Sequence, residues 1–260
     1  MRTDIDIVGT RVGLVVSVVA SLVLATTAST EVPVSAAPPY LLATRVVDGT
    51  VLTLRWDPCQ NAISYRVNPA AAASTSTGRA SAVADVRGAF ARLGQATGMT
   101  FRYLGTTSRV PTGAAWSENL GDAEIVVAWV NQGSARSTLL GRVGTGYAAG
   151  TGGYSYKTWT WPLDAAPSAA IGRGFVVLNA ALNRGFRAGF GSGTTRGQLL
   201  LHELGHVVGL RHVTLTSEAM YPMLLPRENS AYHSGDLAGL RRVGRPAGCL
   251  TVPDWVWPDL

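Results

Sequence analysis

The sequence predicts a single α+β domain built on a mixed sheet, with two long helices and a C-terminal helix. Three observations predict it. A strand, helix, strand, strand succession runs from Ala62 to Val130, and such an order calls for a right-handed crossover onto one sheet. Two later stretches, around "TTRGQLLLHELGHVVGL" and "SGDLAGLRRV", carry helical patterning. The chain has 260 residues, enough for one domain with a sizeable core.

The elements follow in order. Val12 to Ala25, "VGLVVSVVASLVLA", is apolar but shorter than the ~20 residues of a membrane span. Small residues and candidate cleavage sites follow from Ala28 to Ala37, so residues 1–37 read as a signal peptide with a short leader. Asp4 and Asp6 offset Arg2 and Arg11, which keeps an uncleaved N-terminal anchor open. Residues 38–260 form the domain. "TRVVDGTVLTLRW" alternates around Asp48-Gly49 and reads as a hairpin. "AISYRVNP" is a strand stopped by Pro69, and "AAAASTSTG" a flexible loop. From Ser81 to Thr97, Val83, Val86, Phe90 and Leu93 recur at helical steps. "TFRYLG" and "AEIVVAWV" are strands. "LLGRVGTGYAAGTGG" is glycine-heavy with a short strand in it, and reads as either a surface loop or an edge strand. "YSYKTWTW" reads as an aromatic insert whose Trp159 and Trp161 pack or flank a cleft. "GFVVLNAAL" is a strand, Ser234 a candidate cap of the last helix, and "DWVWPDL" a packed tail.

Three of the four histidines lie in "HELGHVVGLRH". His202 and His206 share a helix face at a spacing of four. Two imidazoles so placed can hold one metal ion, and Glu203 then projects beside the ion, where a base acting on a bound water belongs. His212 would leave that face if the helix continued. Gly209 permits a left-handed turn that ends the helix and returns His212 to the ion. The whole reads H-E-x-x-H-x-x-G-x-x-H.

This pattern resembles the metzincin zinc peptidases. Met220 follows eight residues after His212, in "EAMYPM". That spacing and the Met-Tyr-Pro sequence resemble the Met-turn of the matrixins, the matrix-metalloproteinase branch. Secreted actinobacterial proteins are similar over further stretches, including "RWDPC" and "GFVVLN". The resemblance implies a metzincin-like zincin fold, with a twisted, mostly parallel sheet and an edge strand over the cleft. It implies one catalytic Zn2+ on His202, His206 and His212, Glu203 as general base, and Met220 as a hydrophobic floor. It implies a zinc endopeptidase that hydrolyses peptide bonds by a zinc-activated water. Substrate would lie extended along the edge strand, with Tyr221 to Leu225 forming the pocket for the residue after the scissile bond. The alternative is a secreted, zinc-stabilised binding or cell-surface module without turnover, which would not need Glu203.

The chain carries 22 Lys+Arg against 16 Asp+Glu. The arginines are scattered and no basic run exceeds two residues, so a nucleic-acid site is not expected. Cys59 and Cys249 are the two cysteines. In a secreted chain they read as a disulfide, with a cysteine of "WDPC" bound to the zinc as the rival. His233 alone lies outside the motif and reads as an exposed or hydrogen-bonded residue. A second, histidine-built zinc site is therefore not expected. Structural Ca2+ needs only oxygen ligands and no run of residues indicates one. The expected state is a monomer, secreted to the exterior or cell wall, with no stable membrane association after leader cleavage.

Overall fold

The computed structural model describes residues 5–9, 39–160 and 165–257. In chain order the strands and helices are β1 (Ile5–Gly9), β2 (Leu41–Leu42), β3 (Thr44–Val47), β4 (Thr50–Thr53), β5 (Ile63–Asn68), α1 (Ser76–Thr97), β6 (Phe101–Thr106) and β7 (Ile125–Val130). Then come β8 (Arg142–Val143), β9 (Gly146–Tyr147), β10 (Gly150–Trp159), β11 (Ser168–Asn179), α2 (Ala180–Asn183), α3 (Arg196–Val207), β12 (Leu210–Arg211) and α4 (Ser234–Val243).

The main sheet runs β6-β5-β7-β11-β10-β1. The β6, β5, β7 and β11 ladders are parallel, and β10 joins β11 antiparallel. The expected α+β class with a mostly parallel sheet is what the chain adopts. All six residues of β7 are buried, as a strand covered on both faces requires. Ile125, Val127 and Trp129 join the core under α1 and α3. Val126, Ala128 and Val130 pack on the other face with Trp116, Leu120 and Phe175.

Asp48 and Gly49, with φ of 48° and 78°, make the two-residue turn of the β3–β4 hairpin. Helix α1 begins at Ser76, earlier than the expected Ser81, because Thr75 caps it by accepting the Gly78 N–H at 3.1 Å. The "STSTG" run is therefore helix start rather than loop. The aromatic segment is no insert either. Strand β10 continues through it to Trp159, and Tyr154, Tyr156 and Trp159 are buried. Trp159 packs with Ala170 and Val256, while Trp161 lies outside the described residues. Helix α4 is capped at His233, one residue before the expected Ser234, with Asp236 accepting the His233 N–H at 2.9 Å. His233 is half-buried.

Cys59 and Cys249 form a disulfide with Cα atoms 5.3 Å apart. Cys59 is thus not a metal-bound thiol. The bond joins the two ends of the domain, as expected, and suits an extracellular protein. Ile5–Gly9, assigned from sequence to the leader, pairs along β10 from Ile5↔Ser155 to Gly9↔Thr151. The apolar run Val12–Ala25 and the candidate cleavage sites lie outside the described residues. No described helix is long and apolar enough to cross a membrane.

Candidate metal centre

Helix α3 carries two of the three candidate ligands, so its placement decides the site. Thr195 starts it, its Oγ1 accepting the Gln198 N–H at 3.0 Å. Arg196, at the first turn, donates from Nε to Asp85 of α1 at 2.7 Å, and Asp85 also accepts the Gly189 N–H. Both partners are largely buried, which ties the start of α3 to α1. The far end is fixed by Trp56, whose indole N–H donates to the Val207 carbonyl at 2.9 Å.

The helix stops where the sequence predicts. Gly209 has φ of +100°, and a β-carbon there would lie 2.3 Å from the Leu54 carbonyl oxygen. Only glycine fits that turn. The chain then reverses into β12, which pairs with β2 through Leu210↔Leu42 and Arg211↔Leu41. This short ladder delivers His212.

His202, His206 and His212 come together. Their Nε2 atoms lie 3.1 Å from one another in all three pairs. Among the described residues they are the group of side chains able to share a metal ion. The Nδ1 of His202 faces the Ala219 carbonyl at 2.7 Å, and that of His206 faces the Leu210 carbonyl at 2.9 Å. A carbonyl only accepts, so both Nδ1 atoms carry the proton and both Nε2 atoms present lone pairs. Two converging lone pairs at that distance repel unless a cation lies between them. Metal–nitrogen bonds of about 2.0–2.1 Å fit such a triangle, with angles of roughly 100°. The three imidazoles therefore suit one metal ion.

Their electrostatics agree. Burial, aided by the neighbouring His212, pushes His202 down to about 3. Burial and the two other imidazoles hold His206 well below the ordinary value. Burial and Arg211 lower His212 to about 4. Neutral imidazoles are the ligating form, so the fold supplies them at neutral pH.

Glu203 is buried, and its Oε2 accepts the Gly152 N–H of β10 at 2.6 Å. A β-carbon at Gly152 would lie 2.2 Å from the Glu203 carbonyl oxygen, and one at Gly150 would lie 2.9 Å from its Oε1. The glycine run of the sequence is thus explained by close approach of strand to helix. Strand β10, expected as an edge strand, lies between β11 and β1 in the sheet and passes over the helix beside the carboxylate.

Met220 is buried and packs against α3 at Gly205. The peptide links around it are held by α4. Asp236 accepts the Ala219 N–H at 2.6 Å and the Met220 N–H at 3.1 Å. Since Ala219 in turn accepts from His202, Asp236 fixes a candidate metal ligand at one remove. Burial, together with Glu218, raises Asp236 to about 6 against the lowering effect of these N–H donors. Sequence reading missed Asp236, Gly152 and the Ala219 carbonyl. A capping position near the start of α4 was the one visible signal for Asp236.

Compared with known proteins, the chain matches no family model and no curated protein.

Proposed function

We propose that this chain is a secreted, zinc-dependent endopeptidase of matrixin-like metzincin type. The observation that carries the proposal is the triangle of three Nε2 atoms, each 3.1 Å from the others, with Glu203 next in sequence to one of them and held by the neighbouring strand. Nitrogen-only ligation by three neutral imidazoles suits zinc, which favours four-coordinate sites and leaves a position open in catalytic ones. When bound, zinc supplies Lewis-acid chemistry and acidifies water toward a pKa of about 7.

The chain's own residues do the rest. Glu203 takes the proton from the attacking water and passes it to the nitrogen of the leaving amine. The Gly152 N–H keeps the Glu203 carboxylate oriented. The Ala219 and Leu210 carbonyls hold the first two imidazoles in the ligating tautomer. Extended peptide pairs with the outer edge of β10, the edge that β1 lines, so removal of the leader frees it. The disulfide supports the secreted reading.

The test is cleavage of an unfolded protein by purified chain lacking residues 1–37. Activity should stop with a chelator and return with zinc. His206→Ala should lose both the bound metal and the activity. Stoichiometric zinc without cleavage would instead favour a zinc-stabilised binding module.

A further inference from the structure

The main sheet ends at β6, and no described strand borders its far side. Ile63 of β5 donates to the Thr100 carbonyl at 2.8 Å, in a parallel register that sets Ile63 opposite Phe101. In such a ladder alternate residues bond the neighbouring strand. The N–H and C=O of Arg102 therefore face β5, and those of Phe101 and Tyr103 face outward. An edge that offers both donors and acceptors is a template for one more strand.

This edge borders a groove between β6 and α1 of about 870 Å3, within the roughly 300–1,000 Å3 of ligand clefts. Its floor is aromatic. Tyr65 stacks on Phe90 with ring centroids 3.8 Å apart, Phe101 lies 5.2 Å from Phe90, and Tyr103 lies 5.4 Å from Tyr65. The charged side chains that line it are Arg87 and Arg102, and no described carboxylate does. Both arginines are exposed, and neither has a carboxylate partner among the described residues. Arg87, on α1, lies over the Tyr103 ring at 5.4 Å. Arg102 alternates with Phe101 and Tyr103, so it leaves the strand by the opposite face, the face on which Leu104 packs with the second core cluster.

We infer that the β6 edge is a docking site for an acidic, extended polypeptide segment of another protein, which adds as a strand beside Phe101 and Tyr103 and sets carboxylates against Arg87 and Arg102. A peptide backbone answers the outward N–H and C=O groups together, which an anionic polysaccharide does not. Side chains of an added strand alternate between faces, so adjacent acidic residues reach the two arginines from either side. A second copy of this chain would bring arginines toward arginines, and like charges oppose that pairing. Strand β10, which meets Glu203, is separated from β6 by β5, β7 and β11. A partner on β6 therefore leaves the histidine triangle accessible, and the inference stands apart from the peptidase reading.

The experiment uses the purified full chain, with and without a chelator, and short fluorescent peptides of threonine and valine whose centre carries adjacent glutamates, glutamines or lysines. Anisotropy at low salt should show the glutamate peptide binding about tenfold tighter than the glutamine peptide, and the lysine peptide not binding. Arg87→Gln and Arg102→Gln should each weaken the glutamate peptide about threefold, the scale of one exposed ion pair, with the melting temperature unchanged. N-methylation at alternate residues of that peptide should abolish binding in one register and spare it in the other, because one edge of the peptide meets β6. The peptide comparisons use unaltered protein, so they decide even where a variant fails to fold. Equal binding of the glutamine peptide, or equal effects of the two methylation registers, overturns the inference. So does loss of binding with the chelator, which would place the peptide at the histidines. A chain dimer that the glutamate peptide fails to dissociate would assign the edge to a second copy, and an anionic polysaccharide that binds where the peptide fails would assign the groove to a glycan. Either overturns the inference too. Zinc-dependent cleavage of unfolded protein is measured separately, so failure here leaves the peptidase reading intact.

Discussion

Met220 fills the space that a side chain at Gly205 would take: a β-carbon there would lie 2.3 Å from the Met220 sulfur. Gly205 sits inside α3, one residue before His206. The floor of the site and the helix that bears two ligands are thus one packing unit. Alanine at Gly205 would normally favour a helix by about 1 kcal/mol, but here it displaces the thioether. Gly205→Ala should therefore destabilise. Met220→Leu keeps the volume and should cost under ~1.5 kcal/mol, whereas Met220→Ala leaves a cavity and should cost ~2–5 kcal/mol. Thermal melts with and without zinc decide. A Gly205→Ala protein more stable than wild type would refute the contact.

Glu203→Gln retains an oxygen that can accept the Gly152 N–H, so fold and metal content should survive. Activity should drop by at least the ~10²–10⁴-fold typical of a lost general base. Peptide turnover and elemental analysis on the same sample test this. Near wild-type turnover would move the role to another group.

Asp236→Asn turns an NH2 group toward backbone N–H donors that now meet two carboxylate oxygens. The Ala219–Met220 peptide should shift, and with it the carbonyl that orients His202. Metal affinity should fall ~10–100-fold, the usual cost of losing a ligand's outer partner. Competition with a chromogenic chelator measures it, and unchanged affinity would show that the Ala219 carbonyl holds its place without Asp236.

The metal-free protein should lose stability in acid. Free imidazole titrates near 6.5, and in the fold His202 and His212 are lowered to about 3 and about 4, with His206 also lowered. As pH falls, the unfolded chain therefore binds protons first. The stabilisation is intact above about 6.5 and is lost as pH falls toward those folded values. Asp236, raised to about 6, acts in the opposite sense, its contribution fading as pH rises through 6. Three imidazoles outweigh one carboxyl, so the urea midpoint should drop from pH 6 to pH 4. A midpoint that rises over that interval would contradict burial of neutral imidazoles.

Thiol titration of denatured, unreduced protein should find no free cysteine. Cys59 and Cys249 are 190 residues apart, and closing so long a loop stabilises by up to ~5 kcal/mol in the chain-entropy model. Reduction should therefore lower the melting temperature without removing zinc at moderate temperature. Two reactive thiols in the unreduced protein would be the contrary result.

What the sequence made legible was whatever depends on local spacing. The step of four between His202 and His206, the stop at Gly209, and the Asp48-Gly49 turn are each dictated by backbone geometry within a few residues. The strands of the sheet were visible from their apolar runs, although the length of β10 was not. Its tyrosines look like an exposed aromatic insert until the core they enter is seen. The support of the site was hidden for the same reason. That Gly152 would meet Glu203 and that Asp236 would reach the Met220 peptide both depend on distant segments meeting. A glycine-rich run announces a close approach without naming its partner.

The ladder between β2 and β12 has a consequence for assembly. His212 is delivered by a strand whose partner, Leu41–Leu42, comes from the opposite end of the domain, while His202 and His206 form with one local helix. A nascent chain can thus make two thirds of the ligand set early, but the triad closes only when the amino-terminal segment has docked beside Gly209. On the proposed reading, tight metal capture would then be a late folding event. A chain trimmed through Leu42 should still form α3 yet hold its ion loosely, so retention of the metal would report that the whole domain has closed.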